Sequence, residues 1–143
     1  YIDEYFRKYG DVRAYLDRTL DRARRDGFVT TLFGRRRPLP ELHADNAVVR
    51  QFAERMAINT PIQGTAADLI KLAMLRVEQR LRKEKLQARM VLQVHDELVF
   101  EVPEAEREVV ERLAVEEMEG VVSLAVPLKV DRGYGRNWDE AKG

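Results

Sequence analysis

Three polar residues, His95, Asp96 and Glu97, interrupt an otherwise apolar stretch, Val91-Leu92-Gln93-Val94-His95-Asp96-Glu97-Leu98-Val99-Phe100. Alternation on both sides predicts two strands joined by a tight turn, with the three at its apex. Adjacent carboxylates held at a turn repel each other, and a bound divalent cation relieves that cost. Such oxygen donors suit Mg²⁺, which takes one or two carboxylates and shares its other positions with water and substrate phosphate. The competing reading is a polar hairpin tip that faces water. Other chemistries lack their residues. The only histidines are His43 and His95 and there is no cysteine, too few ligands for zinc or a multi-histidine phosphohydrolase. Ser123 is the sole serine and has no nucleophile-elbow sequence around it, so a Ser-His-Asp triad is the poorer reading. His43, in a proline-flanked loop, reads as a surface residue.

Two further groups carry binding chemistry. Arg35, Arg36 and Arg37 follow a glycine turn, and guanidinium forks match phosphate oxygens. A solvated charge cluster is the alternative. Asn59, Gln63 and Thr65 surround Pro61, and amide side chains there can reach groove edges or sugars. Capping and turn roles account for the same residues equally.

The elements that position these residues follow from periodicity. Tyr1 to Arg25 reads as helix through Tyr5, Tyr9, Val12, Tyr15, Leu16 and Leu20, with a break near Gly10 and Asp11. Gly27 ends it, and Phe28 to Phe33 has strand composition. A long helix is expected from about Ala44 to Lys85, broken at Asn59-Thr60-Pro61 because proline lacks a donor and biases its neighbour. Ala66, Leu69, Ile70, Ala73, Met74, Val77 and Leu81 form its apolar stripe. After the hairpin, Glu104 to Glu119 reads as an acidic amphipathic helix, with Gly120 as C-cap. A last strand is expected over Val126 to Val130. The order of elements predicts an α+β fold.

Composition sets the outer bounds. A chain of 143 residues is one domain or a large piece of one. No apolar run is long enough to span a membrane, and no secretory signal opens the chain. The absence of cysteine fits a reducing, cytoplasmic setting. Net charge is zero, but residues 1–90 hold 19 Lys and Arg against 12 Asp and Glu, whereas residues 91–143 hold 6 against 13. A basic half beside an acidic half suits a protein that grips a polyanion in one region and gathers carboxylates in another. Two solvated faces of opposite sign would give the same totals. The abundance of charge, rich in arginine, points to a thermophilic source.

The stretch Glu54-Arg55-Met56-Ala57-Ile58-Asn59-Thr60-Pro61-Ile62-Gln63-Gly64-Thr65-Ala66-Ala67-Asp68-Leu69-Ile70-Lys71-Leu72-Ala73-Met74 resembles the signature helix of the family A DNA polymerases, the bacterial DNA polymerase I type. Leu92-Gln93-Val94-His95-Asp96-Glu97-Leu98-Val99 resembles that family's third catalytic motif. Thr31 to Arg37, Val126-Pro127-Leu128 and Trp138 also fit, so the resemblance runs through the whole chain in order. It implies part of the right-hand polymerase fold, with residues 1–88 on the fingers side and residues 89–143 in the palm. It implies that Asp96 binds the catalytic metals, with Glu97 a nearby and less essential carboxylate and His95 approaching the primer end. Arg55, Asn59, Gln63 and Gln93 would contact template or primer, and Arg35, Arg36 and Arg37 the template backbone. The implied partners are primer-template DNA and deoxynucleoside triphosphates, and the implied cofactor is a pair of Mg²⁺ ions.

One departure qualifies this. The family's first catalytic motif supplies another metal-binding aspartate, and its nucleotide-binding helix supplies Arg, Lys and Tyr; neither is found here. Both are expected upstream of Tyr1, in an N-terminal remainder on the same or a separate chain. The expectation is therefore that this chain alone does not extend primers. The alternatives are a non-catalytic nucleic-acid-binding module with the same fold, or a phage or plasmid replication protein with altered template choice.

Overall fold

The computed structural model describes residues 2–142. Tyr1, where the first helix was expected to open, lies outside the described residues. The protein is mixed α and β, and two compact units meet along the chain at Asp68 and Leu69.

In the first unit, α1 (Ile2–Lys8) gives way at Tyr9 to α2 (Gly10–Asp26). The helix break expected at Gly10 is thus present. α2 stops at Gly27, whose φ of 76° is left-handed and whose N–H returns to the Ala23 carbonyl at 2.9 Å. β1 (Phe28–Thr30) then pairs antiparallel with β2 (Arg36–Pro38). With only two strands both are edges, which is where a sheet tolerates Pro38. Strand structure is shorter than Phe28 to Phe33 because the chain must turn: Gly34, at φ 80°, donates to the Thr31 carbonyl at 3.0 Å. A 3₁₀ turn, Pro40–His43, leads to α3 (Ala47–Lys83). Asn46 Oδ1 caps α3 by accepting from Val48 N at 2.9 Å and Val49 N at 3.3 Å. Ala23, Val29, Leu39, Leu42, Ala53 and Ala57 form the buried core of this unit.

α3 corrects one expectation. It passes through Pro61 without a break. Proline removes a single hydrogen bond from a helix of 37 residues. The Thr65 hydroxyl donates to the Pro61 carbonyl, and Thr60 beside it is buried. Packing on either side holds what local propensity would have interrupted.

The second unit begins on α3. Ala73, Val77 and Leu81 of the expected stripe are buried, whereas Ala66 is exposed. The helix ends in a Schellman motif in which Lys85 takes φ 55°. Lys85 N donates to Arg82 O at 3.1 Å and Leu86 N to Leu81 O at 3.0 Å. β3 (Arg89–Val94) and β4 (Glu97–Glu101) form the antiparallel hairpin. A short 3₁₀ turn, Glu104–Glu106, opens α4 (Arg107–Glu119). Val77, Leu81, Ala88, Val110 and Leu113 make the second buried cluster, fringed by Met90, Phe100 and Val102 of the hairpin. The Glu106 carboxylate accepts from the Gln87 and Ala88 amides, at distances from 2.9 to 3.0 Å, and fixes the approach to β3.

The strand expected over Val126 to Val130 is not formed. Strand composition is there, but a strand needs a neighbour for its ladder. In its place the Val130 amide donates to Glu119 Oε1 at 3.0 Å. The chain finishes in α5 (Trp138–Ala141), where Asn137 Oδ1 accepts from Glu140 N at 2.9 Å. Just before it, the Tyr134 hydroxyl bonds Glu104 while Arg107 lies 3.8 Å above the ring. That hydrogen bond to Glu104 is the main reason the phenol's pKa is raised above its ordinary value of 10.0.

Candidate functional site

The β3–β4 hairpin closes with a two-residue loop, His95 and Asp96, between the paired residues Val94 and Glu97. His95 has φ 53°, a left-handed conformation unusual for a residue with a side chain. Two-residue hairpin loops favour positive φ because their twist then matches that of the strands. Gln93 turns its amide Nε2 onto the His95 carbonyl at 2.6 Å, tying the strand to the tip. His95, Asp96 and Glu97 are all exposed. The two carboxylates are therefore consecutive, anchored by a sheet and open to solvent. Lys142 Nζ lies 3.7 Å from Glu97 Oε2, with both side chains about half exposed, so the contact is a weak screened pair.

A bulge in β3 adds to this presentation. Met90 pairs with Phe100 and Leu92 with Val99, so Val91 is an extra residue in the ladder. Bulges bend a strand and increase its twist, and they recur beside active sites. Strict alternation fails here: Val91 and Leu92 are 50% and 45% exposed.

The donor set fits a hard divalent cation. Asp96 and Glu97 offer only oxygen, at a site open to water. Among the described residues no group of three or more His, Cys, Asp or Glu is placed to hold a metal ion by itself.

In the first unit, Arg55, Asn59 and Gln63 fall four residues apart on α3 and all are exposed. That spacing puts them in one row on the helix surface. The Arg55 guanidinium also lies 5.8 Å over the Phe52 ring.

The arginine run is divided among different partners. Arg35 Nε donates to Asp68 Oδ1 at 2.8 Å and its Nη2 to the Gly64 carbonyl at 3.1 Å. Arg36 lies 4.7 Å over the Phe28 ring. Arg37 Nη1 reaches Thr60 Oγ1 at 3.4 Å and its Nη2 the Met56 sulfur at 3.8 Å. Thr65, read in sequence as a groove or capping residue, donates to the Pro61 carbonyl and accepts from Leu32 N at 2.9 Å. His43 Nε2 lies 2.9 Å from the Arg24 carbonyl, consistent with a surface structural residue.

Sequence reasoning missed Gly64, Asp68 and Lys142. Gly64 did leave a signal, since glycine inside a helix costs about 1 kcal/mol relative to alanine and needs a reason. The reason is proximity: a Cβ there would lie 2.8 Å from Thr31 Cγ2. Asp68 lies one helical turn after Gly64, on the same face.

The family model described as DNA polymerase family A matches residues 1–140. The chain is 54% identical over 140 residues to DNA polymerase I of Mycobacterium bovis, covering 98% of this chain and 16% of that protein. It is 56% identical over 142 residues to the thermostable DNA polymerase I of Thermus aquaticus, covering 99% of this chain and 17% of the relative. Among solved structures, it superposes with a TM-score of 0.97 on the POL domain of Pol1 from M. smegmatis in complex with DNA primer-template and dNTP. That match has 51% identity and covers 99% of this chain and 25% of the other. The chain thus spans about one sixth of the length of the curated relatives it matches.

Proposed function

Because the chain belongs to DNA polymerase family A, we propose that it forms part of the catalytic region of a DNA-directed DNA polymerase, which adds deoxynucleotides to a primer 3′-hydroxyl under template direction. The observation that carries this reading is the β3–β4 tip, where Asp96 on the two-residue loop and Glu97 at the start of β4 stand side by side next to the strained His95. Residues 1–88 belong to the fingers side and residues 89–143 to the palm.

Asp96 is the residue that holds the divalent metals, with Glu97 contributing beside it. Two Mg²⁺ ions need more oxygen donors than one hairpin tip presents. The rest would come from water, from substrate phosphate and from a carboxylate outside this segment. The chemistry such ions supply when bound is acidification of the attacking hydroxyl and stabilisation of charge on the triphosphate. His95 approaches the primer end. The exposed row Arg55, Asn59 and Gln63 contacts template or primer, as does Gln93, while Arg35, Arg36 and Arg37 lie toward the template backbone. The partners are those of the solved relative, primer-template DNA and deoxynucleoside triphosphate, together with the remainder of the polymerase. Sequence is read by base pairing, and the protein contributes backbone and groove contacts. A chain without cysteine fits the reducing cytoplasm.

The test is Mg²⁺-dependent primer extension by this chain alone and mixed with an upstream polymerase segment carrying the first aspartate motif. Activity is expected only in the mixture. Asp96→Ala should lower it by at least about a hundredfold, the upper range for disturbing a metal's outer shell, while primer-template affinity changes little. Extension that survives Asp96→Ala would favour a binding module over a catalytic one.

A further inference from the structure

In sequence, Arg35, Arg36 and Arg37 look like three equivalent phosphate ligands. Their surroundings are not equivalent. The Nε and Nη2 edge of Arg35 is the side-on fork that would grip a phosphate, and it is already engaged by Asp68 and the Gly64 carbonyl. Arg35 is 55% exposed, but its carboxylate partner only 13%, so the pair is sheltered on the protein side. A phosphate arriving at that edge would have to displace a charge-assisted bond of 2.8 Å.

The same pair sits where the β1–β2 turn meets α3. Leu32 N donates to Thr65 Oγ1 at 2.9 Å, one residue from Gly64. Thr31, buried, places its methyl 2.8 Å from where a Cβ of residue 64 would lie. Turn and helix are therefore joined at 64, 65 and 68 on α3. Arg37, at the far side of the turn, crosses to Thr60 and Met56. Those two positions each adjoin a member of the exposed row, Asn59 and Arg55.

We infer that Arg35 is a positioning residue: paired with Asp68, it latches the β1–β2 turn onto α3 and fixes Arg37 beside the Arg55–Asn59–Gln63 row, leaving phosphate contact to Arg36 and Arg37. The inference rests on the DNA-binding reading above. It gives Asp68, a carboxylate, a supporting role in binding a polyanion, which a phosphate-ligand role for Arg35 does not.

The experiment compares the whole chain, Arg35→Ala, Asp68→Ala and the double variant. Each is titrated with a fluorescent primer-template duplex across a series of salt concentrations. Each single variant should weaken binding about three- to tenfold, the double no more than either single, and the slope of log K against log salt should not change. A phosphate ligand at Arg35 predicts otherwise. Its loss would lower that slope by about 1, and Asp68→Ala would leave binding unchanged or tighten it. Either result overturns the inference, as does additivity in the double variant. Asp68→Asn replaces Asp68→Ala if the alanine variant fails to fold. A second arm needs no DNA: amide exchange at Leu32 should accelerate in both single variants while α2 keeps its protection. Unchanged exchange at Leu32 overturns the latch. If the unaltered chain does not bind the duplex, the functional reading fails, and the exchange arm alone then decides the latch.

Discussion

His95 pays for its place at the hairpin tip. A φ of 53° costs a residue with a Cβ about 1 kcal/mol or more, and glycine nothing of the kind. Strain of this sort collects at functional sites, where the surrounding structure enforces it. Here the enforcement is visible in the Val94–Glu97 pair below the loop and the Gln93 bond to the His95 carbonyl. His95→Gly and His95→Ala both remove the imidazole and differ in their tolerance of positive φ. In thermal melts His95→Gly should therefore be about 1 kcal/mol more stable than His95→Ala. Equal stabilities would mean that the loop relaxes and the strain is not retained in solution. The polar apex itself was legible from residue types, since three polar side chains between alternating strands have few other places to go. The backbone conformation of His95 was not, because nothing local distinguishes it from an ordinary turn residue.

At the scale of elements, α3 is decided by what packs on it. Gly64 is the clearest case. Alanine would gain about 1 kcal/mol in helix propensity. Its Cβ, however, would lie 2.8 Å from the methyl of Thr31, a stiff β-branched side chain that is buried. Overpacking of this kind costs about 1–3 kcal/mol, so the clash outweighs the propensity gain. Gly64→Ala should lower stability to denaturant by roughly 1 kcal/mol. Adding Thr31→Ser removes only the methyl, leaves the hydroxyl that accepts from Arg35 N at 3.2 Å, and should restore it. A Gly64→Ala chain more stable than the parent would show that turn and helix are not in close contact. Periodicity made α3 legible over almost its full length, yet the expected break at Pro61 is absent. The rule for proline is local, and it was overruled by contacts from residues 23 to 33 positions away, at Leu32, Arg35 and Arg37.

At the scale of the molecule, the exposed apolar surface stands out. Tyr5, Tyr9, Val12 and Tyr15 are exposed in the first unit, and Val91, Leu92 and Val126 in the second. The hairpin also has no further strand beside it among the described residues. Open edges with apolar side chains invite association. Opposite charges in the two parts of the sequence could drive association too, but exposed ion pairs yield about 0–1 kcal/mol and salt screens them. Burial of a large apolar side chain yields about 1.5–3 kcal/mol. The apolar contribution should dominate. Sedimentation should show self-association that rises with concentration and persists in about 0.5 M salt, where the Debye length has fallen well below 10 Å. Association abolished by salt would assign it to charge.

Residue order alone carries the fold class, the long helices in their sequence, and the hairpin whose apex holds His95, Asp96 and Glu97. Those features are written in periodicity, glycine and proline placement, and residue type, all of which act over a few positions. Its motifs also carried the family, because their residues and order are specific. Tertiary contacts set the pairing of Arg36–Pro38 with β1, the continuity of α3 through Pro61, the bulge at Val91, the missing strand at Val126 to Val130, and the separate fates of Arg35, Arg36 and Arg37. Each depends on which distant residue is close enough to accept a hydrogen bond, occupy space or extend a ladder, and spacing along the chain does not encode that distance.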